Sequence, residues 1–321
     1  MRLLPRFVLP ALALALATFG AGAQQQALRI VVPYSPGGSS DVLARAFSAE
    51  LAKALGENVI VDNRPGAGSL LATQYVATQP ADGRTLLLVD VPFTIVPALY
   101  RERVRYDVQK DFVPVSLIGE SPTYLFVNEA SPLHSAGDLV KSAQARPSTI
   151  TIASGGNGSL THLMAELFMI NTRTRLVHVP YKGAAGAITD VAAGHVQAII
   201  TTMASAGGLY PAGRVRALAV SAPQRHPETP NVPTFEEAGV PGMNVESWWG
   251  VVVRAGTSPA DQARLRDAMH QVLSQPAVRA RIRNAGVDVP ADTSADALRK
   301  TVSADVVRWR EVIERANIHV E

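Results

Sequence analysis

Cysteine is missing from all 321 residues. That absence excludes disulfides, thiol catalysis and a lipid-bearing N-terminal cysteine. A Gly-x-Ser-x-Gly nucleophile elbow and a Walker loop are missing too. The seven histidines never take His-Glu-x-x-His or any comparably close metal spacing. Neither a metal nor another cofactor is therefore expected, and no catalytic set emerges. An excess of one charge sign is also lacking: 30 Lys+Arg stand against 27 Asp+Glu, a net +3. No basic stripe points to nucleic acid. Past the N-terminus, no stretch reaches the roughly 18 uninterrupted apolar residues of a membrane span.

What the chain does have begins with a leader pattern. Arg2 and Arg6 precede an apolar run from Phe7 to Phe19, and Ala21-Gly22-Ala23 follows as a small-x-small cleavage signal. This reads as a secretory leader, residues 1–23, cleaved after Ala23 to leave a periplasmic protein. Its removal takes two arginines and no acid, so 28 Lys+Arg face 27 Asp+Glu and the mature charge falls to +1. About 300 remaining residues bury a large core without disulfides and exceed one average domain.

The organising stretch is Leu28-Arg-Ile-Val-Val-Pro-Tyr-Ser-Pro-Gly-Gly-Ser-Ser-Asp41. Leu28, Ile30, Val31 and Val32 form a short apolar, partly β-branched run, as in a strand covered on both faces. Pro36-Gly37-Gly38 breaks it, and Ser39 or Ser40 is placed to cap a helix with Asp41 in its first turn. That helix should reach Leu55 with Val42, Leu43, Ala46, Phe47 and Leu51 inward. Ile150-Thr-Ile-Ala-Ser-Gly-Gly-Asn-Gly-Ser159 repeats the construction, followed by Leu160, Leu163, Met164, Leu167 and Phe168 at helical spacing. Free turn N–H groups and a positive helix end suit an anion. Two such junctions suggest two lobes holding one negative ligand between them; the alternative is two ordinary strand-to-helix turns with no ligand.

The rest of the chain fits an α/β organisation. Strands are expected at Asn58–Val61 and Thr85–Val89, the latter ending in Asp90, with a helix to Thr78 between them. Parallel pairing with right-handed crossovers follows from that rhythm. Val113–Val127 reads as a strand crossing to a second lobe, and Val245–Val253 as the return. Between them come strands at Ile150–Ala153, Leu176–Val179, Ala198–Thr202 and Ala217–Ser221, with helices after Ser159 and Gly183. The last segment is helical, with breaks at Ser258, Pro276 and Ser294, and should pack on the first lobe. The division expected is 24–124 plus 246–321 for lobe 1 and 125–245 for lobe 2.

Each candidate residue has a plainer reading. His162, early in its helix, either touches ligand or only caps and packs. Asp41 is a first-turn, dipole-stabilising acid before it is a base. Asp190 either orients a bound water or amino group or is a solvated helix acid. Trp248 and Trp249 fall on the expected hinge: either both are core, or one is core and the other, taken as Trp248, lines the cleft. Tyr34 belongs to the organising stretch and joins the candidates.

These residues also carry a family resemblance. Val31–Asp41 resembles the start of the Bug-type solute receptors of tripartite tricarboxylate transporters. Asn63-Arg-Pro-Gly-Ala-Gly68, Asp82-Gly-Arg-Thr85, Pro97-Ala-Leu-Tyr100, Asp111-Phe-Val-Pro114, Gly158-Ser-Leu-Thr-His-Leu163, Val179-Pro-Tyr-Lys-Gly183 and Arg216-Ala-Leu-Ala-Val220 continue it in order. The resemblance implies a two-lobed, type II-like periplasmic binding fold whose lobes are mainly parallel sheets flanked by helices. It implies a monomeric receptor that captures a small organic acid and presents it to membrane transporter subunits. Gly37, Gly38, Ser39 and Ser40 would hold the carboxylate from one lobe, and Ser154, Gly158, Ser159, Tyr181 and Asp190 from the other. Asp90 departs from the small or amide residue often found at that place; an acid there would either repel a second ligand carboxylate or favour a ligand carrying a donor, against the usual dicarboxylate assignment. A periplasmic sensor for a signalling partner, or an enzyme, is the alternative function.

Overall fold

The computed structural model describes residues 27–37, 39–181 and 183–319. The leader, its cleavage after Ala23, and Gly38 lie outside the described residues. The first segment contains β1 (Leu28–Val32), α1 (Ser39–Leu55), β2 (Val59–Asn63), α2 (Leu70–Ala77), β3 (Thr85–Asp90) and α3 (Pro92–Leu99). Next come β4 (Phe112–Asn128), α4 (Ala136–Ala145), β5 (Thr151–Ser154), α5 (Leu160–Thr172), β6 (Val177–Pro180) and α6 (Ala184–Ala193). β7 (Ala198–Thr202), the one-turn α7 (Met203–Ala206) and β8 (Val215–Val220) complete the second segment. β9 (Glu246–Arg254), α8 (Pro259–Leu273), α9 (Pro276–Asn284) and α10 (Ala295–Arg315) follow.

The strands form a curled sheet in the order β2-β1-β3-β9-β4-β7-β5-β6, with β8 also on β4. This is the two-lobed α/β arrangement that the resemblance implies. β4 joins the lobes: Phe112 to Pro122 pair with β9, and Thr123 to Asn128 pair with β7 and β8. Pro122, which has no N–H to donate, sits where the partner changes, and Pro114 sits at a register shift. Both are places where a ladder tolerates proline. The outer pairs β1–β2, β1–β3, β5–β6 and β5–β7 are parallel. The crossing strands β4 and β9 bring antiparallel pairs into the middle.

Side-chain alternation makes both faces of the first lobe apolar. Leu28, Ile30, Val32, Leu86 and Leu88 face α1, α8 and α9 in one cluster, and Val31, Leu87 and Val89 face the other. On β9, Trp249, Val251 and Val253 join the first cluster, whereas Trp248 and Val252 join the second. α1 buries Leu43, Ala44, Ala46, Phe47 and Leu51. Val42, expected inward, is 42% exposed; the stripe through Leu43, Phe47 and Leu51 leaves it on the outer edge.

The C-terminal helices divide their packing. α8 and α9 lie on α1, while α10 lies against α3, β4 and also α5 of the second segment. Gly250 permits the close seat of α10, because a Cβ there would lie 2.6 Å from both Leu298 methyls. α3 and α4 were not anticipated. α3 contains Pro97 within the helix, which normally argues against one. α4 has a readable start, with Ser135 Oγ accepting the Asp138 N–H at 3.0 Å.

Candidate functional site

On the first lobe, β1 delivers a turn that its own polar groups brace. The Asp41 carboxylate, 2% exposed, accepts the Gly37 N–H at 2.9 Å, Arg45 Nε at 3.0 and 3.1 Å and Asn63 Nδ2 at 3.0 Å. The Arg45 guanidinium leads these donors in holding its pKa down to about 2. Asn63 Nδ2 also donates to the Tyr34 carbonyl at 3.0 Å. The Asp41 carboxylate and the Gly37 N–H are thus engaged with each other. A depressed folded pKa contributes stability above the ordinary carboxylate range, and that stability is lost as pH falls through about 2. Asp41→Asn is therefore expected to destabilise at neutral pH, with a gap to wild type that closes as acid is added. Urea titrations at stepped pH check this, and a gap unchanged by pH would contradict it.

Beyond the turn, β3 ends in Asp90. Tyr34 Oη donates to Asp90 Oδ1 at 2.9 Å, and Ser40 Oγ approaches Oδ2 at a longer 3.5 Å. Trp249 Nε1 in turn donates to Ser40 Oγ at 3.1 Å. Burial pushes the Asp90 carboxyl up to about 7, against the pull of the Tyr34 and Ser40 hydroxyls. Burial and the neighbouring Asp90 likewise drive the Tyr34 phenol above its ordinary range.

The second lobe presents two turns fastened together. Tyr181 N–H donates to the Ser154 carbonyl at 2.9 Å and Gly183 N–H to the Gly155 carbonyl at 3.0 Å. Ser154 Oγ accepts the Gly156 N–H at 3.1 Å and pairs with His178 Nε2 at 2.6 Å. Gly155 N–H donates to Thr161 Oγ1 at 2.7 Å, and Gly158 N–H to His162 Nδ1 at 3.1 Å. Ser159 caps α5: its hydroxyl accepts the His162 N–H at 3.3 Å and donates to the Gly156 carbonyl at 2.7 Å. The His162 and His178 rings stack at 3.9 Å. Burial, with His162 adding to it, lowers the His178 pKa to about 4, so that imidazole stays neutral at physiological pH. Tyr181 Oη donates to Asp190 Oδ2 at 2.7 Å.

Between the lobes lies a cavity of about 310 Å³. Tyr34, Ser39, Ser40, Asp90 and Trp249 line it from the first lobe, and Thr161, Thr201, Thr202 and Ser205 from the second. Thr123 and Ser247 line it from the crossing strands. The first residues of three helices open on it: Ser39 of α1, Leu160 of α5 and Ala184 of α6. Among the described residues lining it there is no Lys, Arg or His, and Asp90 is the one carboxylate. A wider hollow of about 540 Å³ between α3 and the end of α10 contains no residue of either glycine turn.

The expected site residues therefore separate into two groups. Tyr34, Ser39, Ser40 and Asp90 line the cleft. Gly37, Asp41, Ser154, Gly158, Ser159, His162, Tyr181 and Asp190 brace the turns around it instead, and Gly38 lies outside the described residues. Trp248 is corrected: it is 2% exposed, and its Nε1 donates to Asp305 Oδ2 at 2.7 Å in the opposite cluster. Its neighbour Trp249 reaches the cleft because successive strand residues point to opposite faces. Thr123, Thr161, Thr201, Thr202, Ser205 and Ser247 were not anticipated. Of these, only Thr161 had a signal, standing one residue inside the start of α5.

The family model described as tripartite tricarboxylate transporter family receptor matches residues 43–318. A UPF0065 protein from the tcbD-tcbE intergenic region of a Pseudomonas species is 34% identical over 315 residues, covering 96% of this chain and 93% of that protein. BugT of Bordetella pertussis is 33% identical, covering 89% of this chain and 88% of its own length. Among solved structures, a Rhodopseudomonas palustris protein with adipate superposes at a TM-score of 0.78 with 33% identity, covering 91% and 98% of the two chains. MatC from the same organism, with bound malate, gives a TM-score of 0.77 with 30% identity, covering 89% and 98%.

Proposed function

The chain belongs to the tripartite tricarboxylate transporter receptor family, and from that membership we propose that its cleft captures a small organic acid in the periplasm. The leader 1–23 directs export and is cleaved after Ala23. The loaded receptor then presents its ligand, chemically unchanged, to membrane subunits of a tripartite tricarboxylate transporter.

One observation carries this reading: three helix N-termini, drawn from both lobes, open on a cleft that no cationic side chain lines among the described residues. Each N-terminus carries roughly half a positive charge and unpaired N–H donors. A carboxylate accepts such donors directly or through water, and burial between the lobes strengthens each bond. The carboxylic acids held by the two Rhodopseudomonas palustris structures, malate and adipate, support the same class for this chain.

A ligand that binds only the folded state adds RT ln(1 + [L]/Kd), roughly 2.7 kcal/mol at a hundredfold excess over Kd. A thermal-shift panel is therefore expected to show carboxylic acids raising the melting temperature by about 4–5 °C, since ~300 residues unfold with an entropy of roughly 0.6 kcal/mol/K. The corresponding amides and alcohols should leave it unmoved. A panel in which neutral sugars stabilise the protein and no acid does would overturn the reading.

A further inference from the structure

We propose that the cleft selects carboxylic acids carrying a hydrogen-bond donor, an ammonium or a hydroxyl, over acids whose far end is a second carboxylate, and that Asp90 makes the selection. The inference rests on the reading of this cleft as a carboxylate site and names the ligand class within it.

The argument begins with the unequal sharing of the Asp90 oxygens. Oδ1 accepts a well-formed bond from Tyr34 Oη at 2.9 Å, whereas Ser40 Oγ stands at a longer 3.5 Å from Oδ2; the residue's own backbone N–H also donates to the carboxylate. The Ser40 hydroxyl itself accepts from Trp249 Nε1 at 3.1 Å, which fixes it beside the carboxylate. A carboxylate oxygen takes two donors, so Oδ2 keeps acceptor capacity on the side that lines the cavity. Among the described residues lining the cavity, no cationic side chain neutralises Asp90. The elements against it contribute Tyr34 from the first turn, Ser40 from α1 and Trp249 from β9. The second lobe adds Thr161, Thr201 and Thr202 across the cavity. The closest cation on α1, Arg45, is bound to Asp41.

The cleft is therefore polarised. Helix N-termini make one region favourable to anions, and Asp90 makes the wall at the end of β3 an acceptor. A ligand with a carboxylate at one end and an ammonium or hydroxyl toward Asp90 satisfies both. A dicarboxylate sets two carboxyl groups face to face, and one of the pair must hold a proton. Such juxtaposition of like charge is how sites reject near-isosteres. Because burial raises the Asp90 pKa to about 7, the protonated acid tolerates a second carboxylate below that pH and the ionised acid repels it above. Dicarboxylate affinity should fall as pH rises through about 7. Affinity for ammonium-bearing acids should rise over the same range.

The test compares aminobutanoate, hydroxybutanoate and succinate, with their shorter and longer homologues, by isothermal titration calorimetry on the wild-type protein and on Asp90→Asn. Measurements at pH 6 and 8, each in two buffers of different ionisation enthalpy, count the protons exchanged. At pH 8 the best donor-bearing acid is expected to bind at least tenfold tighter than any dicarboxylate. At pH 6 the amino acids should release a proton on binding, and any dicarboxylate should take one up at pH 8. Asp90→Asn keeps an acceptor for Tyr34 and should erase both the preference and the proton exchange while melting like wild type. Tightest binding of a dicarboxylate at pH 8, unaltered by Asp90→Asn, overturns the selection and leaves the carboxylate reading standing. Failure of the folded protein to bind any acid in the series overturns the reading itself.

Discussion

Trp248→Ala is expected to lower the unfolding free energy by about 3–5 kcal/mol, the range for removing a large buried aromatic. Trp248 is 2% exposed and sits in the cluster that also holds Leu298, Val302 and Trp309 of α10. The substitution opens a cavity beneath the helix that lies against both segments. It also withdraws the indole N–H from Asp305 Oδ2, a carboxylate that is itself 2% exposed. Arg308 still holds the other oxygen, Oδ1, so the penalty for Oδ2 losing its buried donor adds only modestly to the cavity cost. Trp248→Phe should recover most of the packing while still lacking the N–H. Trp249→Phe, by contrast, retains the ring in the cleft wall and loses only the bond to Ser40, so its main effect should be on ligand affinity. Denaturant midpoints with and without ligand separate the two positions. Equal stability losses at both tryptophans would mean that the two faces of β9 are not distinguished in the way described.

Gly156→Val carries the largest expected effect on binding. Gly156 has φ +128°, a conformation that a β-branched residue adopts only under strain, and a Cβ there would lie 3.0 Å from the Tyr181 carbonyl. That carbonyl belongs to the neighbouring turn, which is fastened to Gly155 through Gly183 N–H. The turn must shift, and with it the starts of α5 and α6 that face the cleft. Affinity for every acid should fall at least tenfold, about 1.4 kcal/mol, without a change in preference among acids. Gly208→Ala is the matching control, because a Cβ there meets nothing within 4 Å. Titration calorimetry on both variants decides the matter. Wild-type affinity in Gly156→Val would show that this turn takes no part in holding ligand.

Much of this arrangement was legible in the sequence where one signal reinforced another. α5, α8 and α10 begin after Ser159, Ser258 and Ser294, each of whose side chains accepts an N–H from the first turn. Apolar alternation along Leu28–Val32 marked β1 as covered on both faces. Val113–Val127 could be read as a crossing strand because no helix period competes with it, and β4 occupies Phe112–Asn128. The cleft was only half legible, for a physical reason. Residue type shows that Ser154, Ser159, Asp41 or Tyr181 carries a polar group, but not whether a neighbouring backbone has already engaged it. In the folded chain these groups hold the turns, and threonines from the end of β7, unremarkable in the sequence, take the places that line the cavity. The tryptophan pair shows the same limit: a period of two puts the rings on opposite faces without saying which face is the cleft.

The most direct measurement is a crystal structure of the protein with the tightest-binding acid from the thermal panel. The account places the ligand in the cavity beside Ser40, Thr161 and Trp249. One carboxylate should lie against the starts of α1, α5 and α6, bonded directly or through a single water, and the lobes should be closed around it. A ligand seated elsewhere, such as the hollow between α3 and α10, or a carboxylate turned toward solvent with no helix N-terminus near it, would contradict the account.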